Sequence, residues 1–287
     1  MVTLWAGLAI GAIYVLVAAA FNIVYVASGT FNFAQPQYLM LGTFIAFAVV
    51  VTFELPVVVA IVVGGAVGFV VGLVEERVAV RPLAGSGVHG ELVTTVGWSV
   101  VMQGVVLLVW DADPHRIPGP GGDRIVEFLG GRLTITDIVL IVVAIVIAVG
   151  THVWFRRSRL GIASLAASED RDAAMLRGIR THRLSTGAFA VAGALLGALG
   201  PIAGPKTFAL FTLGTVLVLK AFVAMAIGGF GSFLGALVAG LLIGVVEAVV
   251  ARYLGNSFIN IVLFALLVGV LLFRPQGMFG QRRERVV

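Results

Sequence analysis

MVTLWAGLAIGAIYVLVAAAFNIVYVASGTFNFAQPQYLMLGTFIAFAVVVTF, residues 1–53, contains no Asp, Glu, Lys, Arg or His. A hydrocarbon core about 30 Å thick is crossed by roughly 20 helical residues rising about 1.5 Å each. The stretch is too long for one crossing and long enough for two. Its polar interruption, Ser28, Gly29, Asn32, Gln35 and Pro36, marks the break, giving spans at about Leu4–Val26 and Gln37–Phe53. Further stretches free of Asp, Glu, Lys and Arg run over Leu55–Val74, Leu92–Trp110, Ile138–Phe155, Leu184–Pro205, Thr207–Leu219, Ala221–Val246 and Tyr253–Phe273. A spanning β-barrel needs strands of roughly ten residues that alternate apolar and polar, and these stretches are apolar on all sides.

The remainder of the chain agrees. Of 287 residues, 60% are hydrophobic and 11% charged, with a mean hydropathy of +1.11, more apolar side chain than a water-soluble fold can hide. The expected fold is an all-α integral membrane protein, a polytopic bundle of about 8–9 transmembrane helices forming one domain over 1–287. Counted in full, the spans number nine, the later ones at about Ser185–Ala203, Phe211–Phe230, Leu234–Tyr253 and Phe258–Phe273. Residues 111–136, with four acids, three arginines and three prolines, read as an extracytoplasmic loop. A retained first span, rather than a cleaved signal peptide, follows from the absence of a basic leader segment.

Orientation is read from Lys and Arg, which are in excess on cytoplasmic loops. The segment 156–184 holds seven arginines, the tail 274–287 four, and Arg77 and Arg81 add two more. That places thirteen basic residues on one face against Arg116, Arg124, Arg132, Lys206 and Arg252 on the other. The tail and segment 156–184 are therefore expected in the cytoplasm, and an odd span count puts the N-terminus outside. The net charge of +5 is accounted for by these orienting arginines, so no nucleic-acid partner is expected.

Glycines recur at four-residue spacing, at Gly64, Gly68 and Gly72, Gly193 and Gly197, Gly231 and Gly235, and Gly240 and Gly244. Lipid gives helices no hydrophobic reason to associate, so small faces that admit close backbone approach supply the packing. Catalytic machinery is not legible. His89, His115, His152 and His182 have no metal-ligand spacing, cysteine is absent, and Gly204-Pro205-Lys206-Thr207 is no phosphate loop. No catalytic residue, metal or cofactor is expected, and the chain does not read as an enzyme.

Three features carry functional expectations. Ser168–Ile179, SEDRDAAMLRGI, reads as one short capped helix with Ser168 as N-cap, Glu169 and Asp170 at its positive end, Arg177 at its negative end and Gly178 closing it. Ala173, Leu176 and Ile179 share a face that suits docking in a partner's groove, with Arg171 and Asp172 off it; a solvated bridge between spans is the alternative. The break contributes Asn32, Phe33 and Gln35, polar groups and freed backbone at the membrane, tolerated where they line a cavity or form an interfacial turn. Lys220 and Glu247 are charges inside spans, each costing about 2.5–3.5 kcal/mol if alone near the bilayer centre. Pairing with each other satisfies both; the alternative is snorkelling of Lys220, with Glu247 meeting Arg252 or water.

Gly7–Tyr25 with Phe31–Phe44, the cytoplasmic segment Ala167–Gly178, Lys220–Val250 and the ending Arg274–Gly280 occur in the order found in branched-chain amino acid ABC permeases of the LivH type. The chain resembles that family over nearly its whole length, departing where Gln35-Pro36 stands in place of His-Gly. The resemblance implies an ABC importer permease of type II-like architecture in the cytoplasmic or inner membrane. Its implied partners are a second homologous permease, with a heterodimer favoured, two cytoplasmic ABC ATPases and an extracytoplasmic substrate-binding protein. On that reading Ser168, Glu169, Asp170, Arg171, Ala173, Leu176, Gly178 and Ile179 form the ATPase contact, while Asn32, Phe33, Gln35, Lys220 and Glu247 border the translocation path. A stand-alone secondary transporter or channel for a small polar solute is the alternative; one Lys and one Glu make a poor ion relay.

Overall fold

The computed structural model describes residues 2–83, 88–119, 122, 124–128 and 131–280. Eleven α-helices are present among them: α1 (Val2–Ser28), α2 (Gln35–Ala46), α3 (Val57–Glu75), α4 (Val88–Trp110), α5 (Ile135–Arg157), α6 (Arg159–Glu169), α7 (Arg171–Leu176), α8 (Thr181–Thr207), α9 (Leu213–Gly228), α10 (Phe233–Tyr253) and α11 (Ile259–Phe273). Eight helical segments among the described residues are long and apolar enough to cross a membrane. Each of the nine expected spans is helical, but the seventh is shorter than the expected Phe211–Phe230. α9 has 16 residues, about 24 Å at the helical rise, because Gly229 (φ 102°) and Gly231 (φ 79°) end it in the left-handed region. Apolar side chains point outward where a soluble protein would not leave them: Val93 is 72% exposed, Leu108 88% and Phe273 89%.

Within the expected loop 111–136 the described residues include two short strands. β1 (Ile125–Phe128) and β2 (Gly131–Thr134) pair antiparallel, with Ile125 opposite Thr134 and Glu127 opposite Arg132. The hairpin leads directly into α5, whose start is closed reciprocally: Thr134 N–H donates to Asp137 Oδ2 and Asp137 N–H to Thr134 Oγ1. Residues 120, 121, 123, 129 and 130 of this loop, and 281–287 of the tail, lie outside the described residues.

The chain forms two compact units. The first comprises 1–22, 125–153 and 219–287. In it α1 packs on α10 through glycines: a Cβ on Gly11 would lie 2.8 Å from the Gly240 carbonyl oxygen, and one on Gly244 2.3 Å from the Gly11 nitrogen. The helices run antiparallel, since Arg252 near the end of α10 donates to Thr3 Oγ1 (2.7 Å) and Asn22 meets the turn before α10. There Gly231 N–H donates to Asn22 Oδ1 (2.8 Å), and Ser232 caps α10 by accepting from Gly235 N–H. The chain after α11 returns to the end of α9, where Met278 N–H donates to the Ile227 carbonyl (2.8 Å).

The second unit comprises 23–124 and 154–218. Its core is the glycine stripe of α3 against that of α8. A Cβ on Gly68 would lie 2.2 Å from the Gly193 oxygen, one on Gly197 2.2 Å from the Gly64 oxygen, and one on Gly72 2.4 Å from the Phe189 oxygen. Backbones this close make dispersion contacts along their length. α2 joins the same seam, with Gly42 against Gly197 and Gly200. Two π-helical turns interrupt the regular helices, Phe47–Thr52 after α2 and Glu76–Val80 after α3. Such turns cluster at functional positions.

Candidate functional site

In the second unit the segment 156–184 differs from its expected form. Ser168 does not cap a helix; it lies inside α6, its hydroxyl donating to the Leu165 carbonyl at 2.7 Å. α6 starts ten residues earlier, capped by Ser158, which accepts from Gly161 N–H at 2.9 Å. The chain breaks at Asp170, whose extended backbone ends α6 and whose carboxylate accepts from Ala173 N–H to start α7. Glu169 is therefore the last residue of α6, and Asp170 is itself a cap.

Gly178, at φ 85°, closes α7 as expected. Ile179 N–H donates to the Ala174 carbonyl (3.1 Å) and Gly178 N–H to that of Met175 (2.9 Å), the two bonds of a Schellman end. Of the expected face, Ala173 and Leu176 are exposed and Ile179 is half-buried, while Ala174 turns inward. Leu176 is 89% exposed, an apolar side chain at the tip of a six-residue helix with nothing covering it. Arg171 has a different contact: its guanidinium donates to the backbone carbonyl of Ser28, the last residue of α1.

The break between α1 and α2 is the second feature. Asn32 is fully buried, and its Oδ1 accepts from Ala34 N–H at 2.9 Å, turning the chain into α2. Asn32 Nδ2 donates to Gln35 Oε1 (3.2 Å) and to Glu75 Oε2 (3.1 Å). The Tyr38 hydroxyl donates to the same Glu75 oxygen. Glu75 is fully buried at the end of α3, and no Lys or Arg among the described residues pairs with it. Two atoms of the cluster remain without hydrogen bonds, Glu75 Oε1 and Gln35 Nε2. An acceptor and a donor left open in a dry interior are costly, and they suit a group that both donates and accepts. Phe33, in the same turn, is half-buried.

Sequence reading missed Glu75 and Tyr38. Glu75 opens the run Glu75-Glu76-Arg77 directly after an apolar stretch, which reads as a wetted span end. The available signal was its place beside Glu76, two carboxylates at the edge of a span, since Glu76 is buried as well.

In the first unit the two membrane charges are joined. Lys220 of α9 and Glu247 of α10 form an ion pair through Nζ and Oε1, their side chains 15% and 11% exposed. The Tyr14 hydroxyl of α1 donates to the other oxygen, Glu247 Oε2. Lys220 Nζ lies 3.2 Å from that hydroxyl and 5.5 Å from the Tyr14 ring centre. The triad satisfies a charge pair that lipid would penalise. Arg252 is engaged by Thr3 instead of Glu247. No group of three or more His, Asp or Glu able to hold a metal occurs among the described residues.

Long apolar helices, glycine seams and a paired charge within the helices define a polytopic helical membrane protein. Residues 3–271 match the family described as "Branched-chain amino acid transport system / permease component", and the chain belongs to that family. It is 32% identical to the high-affinity branched-chain amino acid transport system permease protein BraD of Pseudomonas aeruginosa, over 96% of this chain and 94% of that one. It is 31% identical to LivH of Escherichia coli, similarly described, over 96% and 94%, and 24% identical to a probable LivH of Methanocaldococcus jannaschii over 93% and 88%. No solved structure matches the chain.

Proposed function

We propose that the chain is the membrane-spanning subunit of an ATP-binding-cassette importer that carries branched-chain or related amino acids across the cytoplasmic membrane. The observation that carries this reading is α7, a capped six-residue helix in the arginine-rich segment whose tip, Leu176, is 89% exposed. An exposed leucine held on a rigid, well-capped helix suits a groove on a soluble partner. The resemblance drawn from the sequence implies that this partner is an ATPase, and relatives named for branched-chain amino acid transport suggest the cargo. The full assembly is then this chain, a second homologous permease, two cytoplasmic ATPases and an extracytoplasmic binding protein. The arginine excess puts α6, α7 and the C-terminus in the cytoplasm.

Asn32, Phe33 and Gln35, joined by Tyr38 and Glu75, and separately Lys220 and Glu247, border the route of the cargo. The open acceptor on Glu75 and the open donor on Gln35 match the ammonium and carboxylate of an amino acid backbone. A stand-alone secondary carrier is not favoured: Lys220, a cation within an apolar helix, is neutralised by Glu247.

Purification of the tagged chain from its host in mild detergent tests the reading. A soluble ATPase and a second permease are expected to co-purify. Changing Leu176 and Ile179 together to Asp is expected to cut the recovered ATPase by roughly tenfold or more, about 1.4 kcal/mol of interface energy, while leaving the second permease in place. Purification of the unaltered chain without any ATPase counts against the importer.

A further inference from the structure

The first residue of α7 reaches back to its own chain. Arg171 donates from its guanidinium to the carbonyl of Ser28, 143 positions earlier in the chain. The last carbonyls of a helix lack partners within it, and an arginine is well suited to take one up. α7 is thereby tied to the end of α1, where the turn to α2 begins.

That turn is held at both ends, and within it Phe31 stacks on Tyr25 of α1, with ring centres 4.7 Å apart. At its start Ser28 Oγ donates to the Val24 carbonyl (2.8 Å) and accepts from Thr30 N–H (3.1 Å). Gly29, at φ 78°, takes a left-handed conformation that glycine adopts without cost, and its N–H donates to the Tyr25 carbonyl (2.8 Å). At its far end Asn32 is bonded to Gln35 and to Glu75, and Tyr38 to the same glutamate. Contacts from Arg171 to Glu75 therefore connect a surface helix to a buried cluster within one compact unit. Glu75 is followed at once by the π-helical turn Glu76–Val80, a weak point at which α3 can readjust.

We propose that Arg171 is a positioning residue that joins α7 to the Ser28–Gln35 turn, so that movement of α7 shifts the turn and makes or breaks the Asn32–Glu75–Tyr38 contacts. This rests on the reading of α7 as the ATPase contact. Leu176 and Arg171 are the two ends of one six-residue helix, so a push on the first is transmitted rigidly to the second. The only device required is a turn with two arrangements whose balance α7 biases.

The native chain has no cysteine, which makes thiol labelling clean. Thr30 is 3% exposed and its side chain takes no part in the contacts above. The experiment uses the purified complex in proteoliposomes with Thr30→Cys, in the native background and with Arg171→Ala or Arg171→Lys. Labelling rate is read without nucleotide and in the vanadate-trapped state, alongside ATP hydrolysis and amino acid uptake.

In the native background the labelling rate is expected to differ by about tenfold between the states, and in Arg171→Ala by less than about twofold. Hydrolysis persists in Arg171→Ala while uptake per ATP falls about tenfold, and Arg171→Lys, which keeps a cationic donor, restores most of both. State-dependent labelling that survives Arg171→Ala overturns the proposal. So does equal labelling in both states of a native background that hydrolyses ATP, although the importer reading then stands. Loss of the ATPase from Arg171→Ala assigns Arg171 to the partner interface and overturns it too. If no ATPase accompanies the native chain, the importer reading fails and this inference with it.

Discussion

Gly68→Leu is expected to abolish recovery of folded protein. The Cβ alone would sit 2.2 Å from the backbone oxygen of Gly193, inside any permissible contact, and the clash is with backbone that no rotamer change relieves. α3 and α8 must then separate along the seam that also carries Gly64, Gly72 and Gly197, losing dispersion contacts that lipid does not replace. Overpacking in a rigid core costs about 1–3 kcal/mol and more where backbone must move; here the upper end or beyond applies. Size-exclusion chromatography of a fluorescent fusion in mild detergent should show the monodisperse peak replaced by void-volume material. Gly104→Leu is the control, because nothing lies within 4 Å of its Cβ position, and its peak is expected to match the native one.

The second large effect is expected at the triad of the first unit. Lys220→Ala leaves Glu247 89% buried by side chain with Tyr14 as its remaining partner, and breaking a buried pair from one side costs about 3–5 kcal/mol. Thermal unfolding of the purified chain should shift markedly downward. Removing both charges, by Lys220→Met with Glu247→Gln, should recover most of the loss, since no uncompensated charge then remains. If the double variant melts as low as the single one, the pair is not what stabilises this region. The exchanged pair, Lys220→Glu with Glu247→Lys, should transport better than either reversal alone.

The spans were legible because lipid imposes one dominant rule, that a crossing helix be apolar on every side, and a charge-free run such as residues 1–53 satisfies it visibly. The glycine spacing announced close packing, but it could not say that the partner of Gly68 is Gly193 or that of Gly244 is Gly11; those pairings are long-range. The start of the expected helix Ser168–Ile179 was misplaced for a local reason. Ser158, Ser168 and Asp170 are all good caps, and the sequence does not reveal which of them the backbone leaves extended; the structure uses Ser158 and Asp170. The hairpin within 111–136 was missed because its Pro and Gly density outweighed the short alternation at Ile125–Phe128.

The candidate site was half legible. Lys220 and Glu247 stood out as charges where none belong, and of the two arrangements open to them, pairing and snorkelling, the structure has the pair. Tyr14 and Tyr38 did not stand out, because tyrosine is unremarked in an apolar run until its hydroxyl is seen to have found a carboxylate. Asn32 was singled out for its polarity, but its partner Glu75 lies 43 positions away, just beyond the charge-free run Leu55–Val74.

The central claim is that this chain supplies a pathway and a docking helix while another subunit supplies the energy. Uptake of labelled leucine into proteoliposomes tests it most directly, comparing the chain alone with the chain reconstituted beside its co-purifying permease, ATPases and binding protein. The account predicts uptake only with the full set, dependent on hydrolysable ATP and lost when Leu176 and Ile179 are changed to Asp. Accumulation by the chain alone, driven by a proton or sodium gradient and indifferent to ATP, would contradict it.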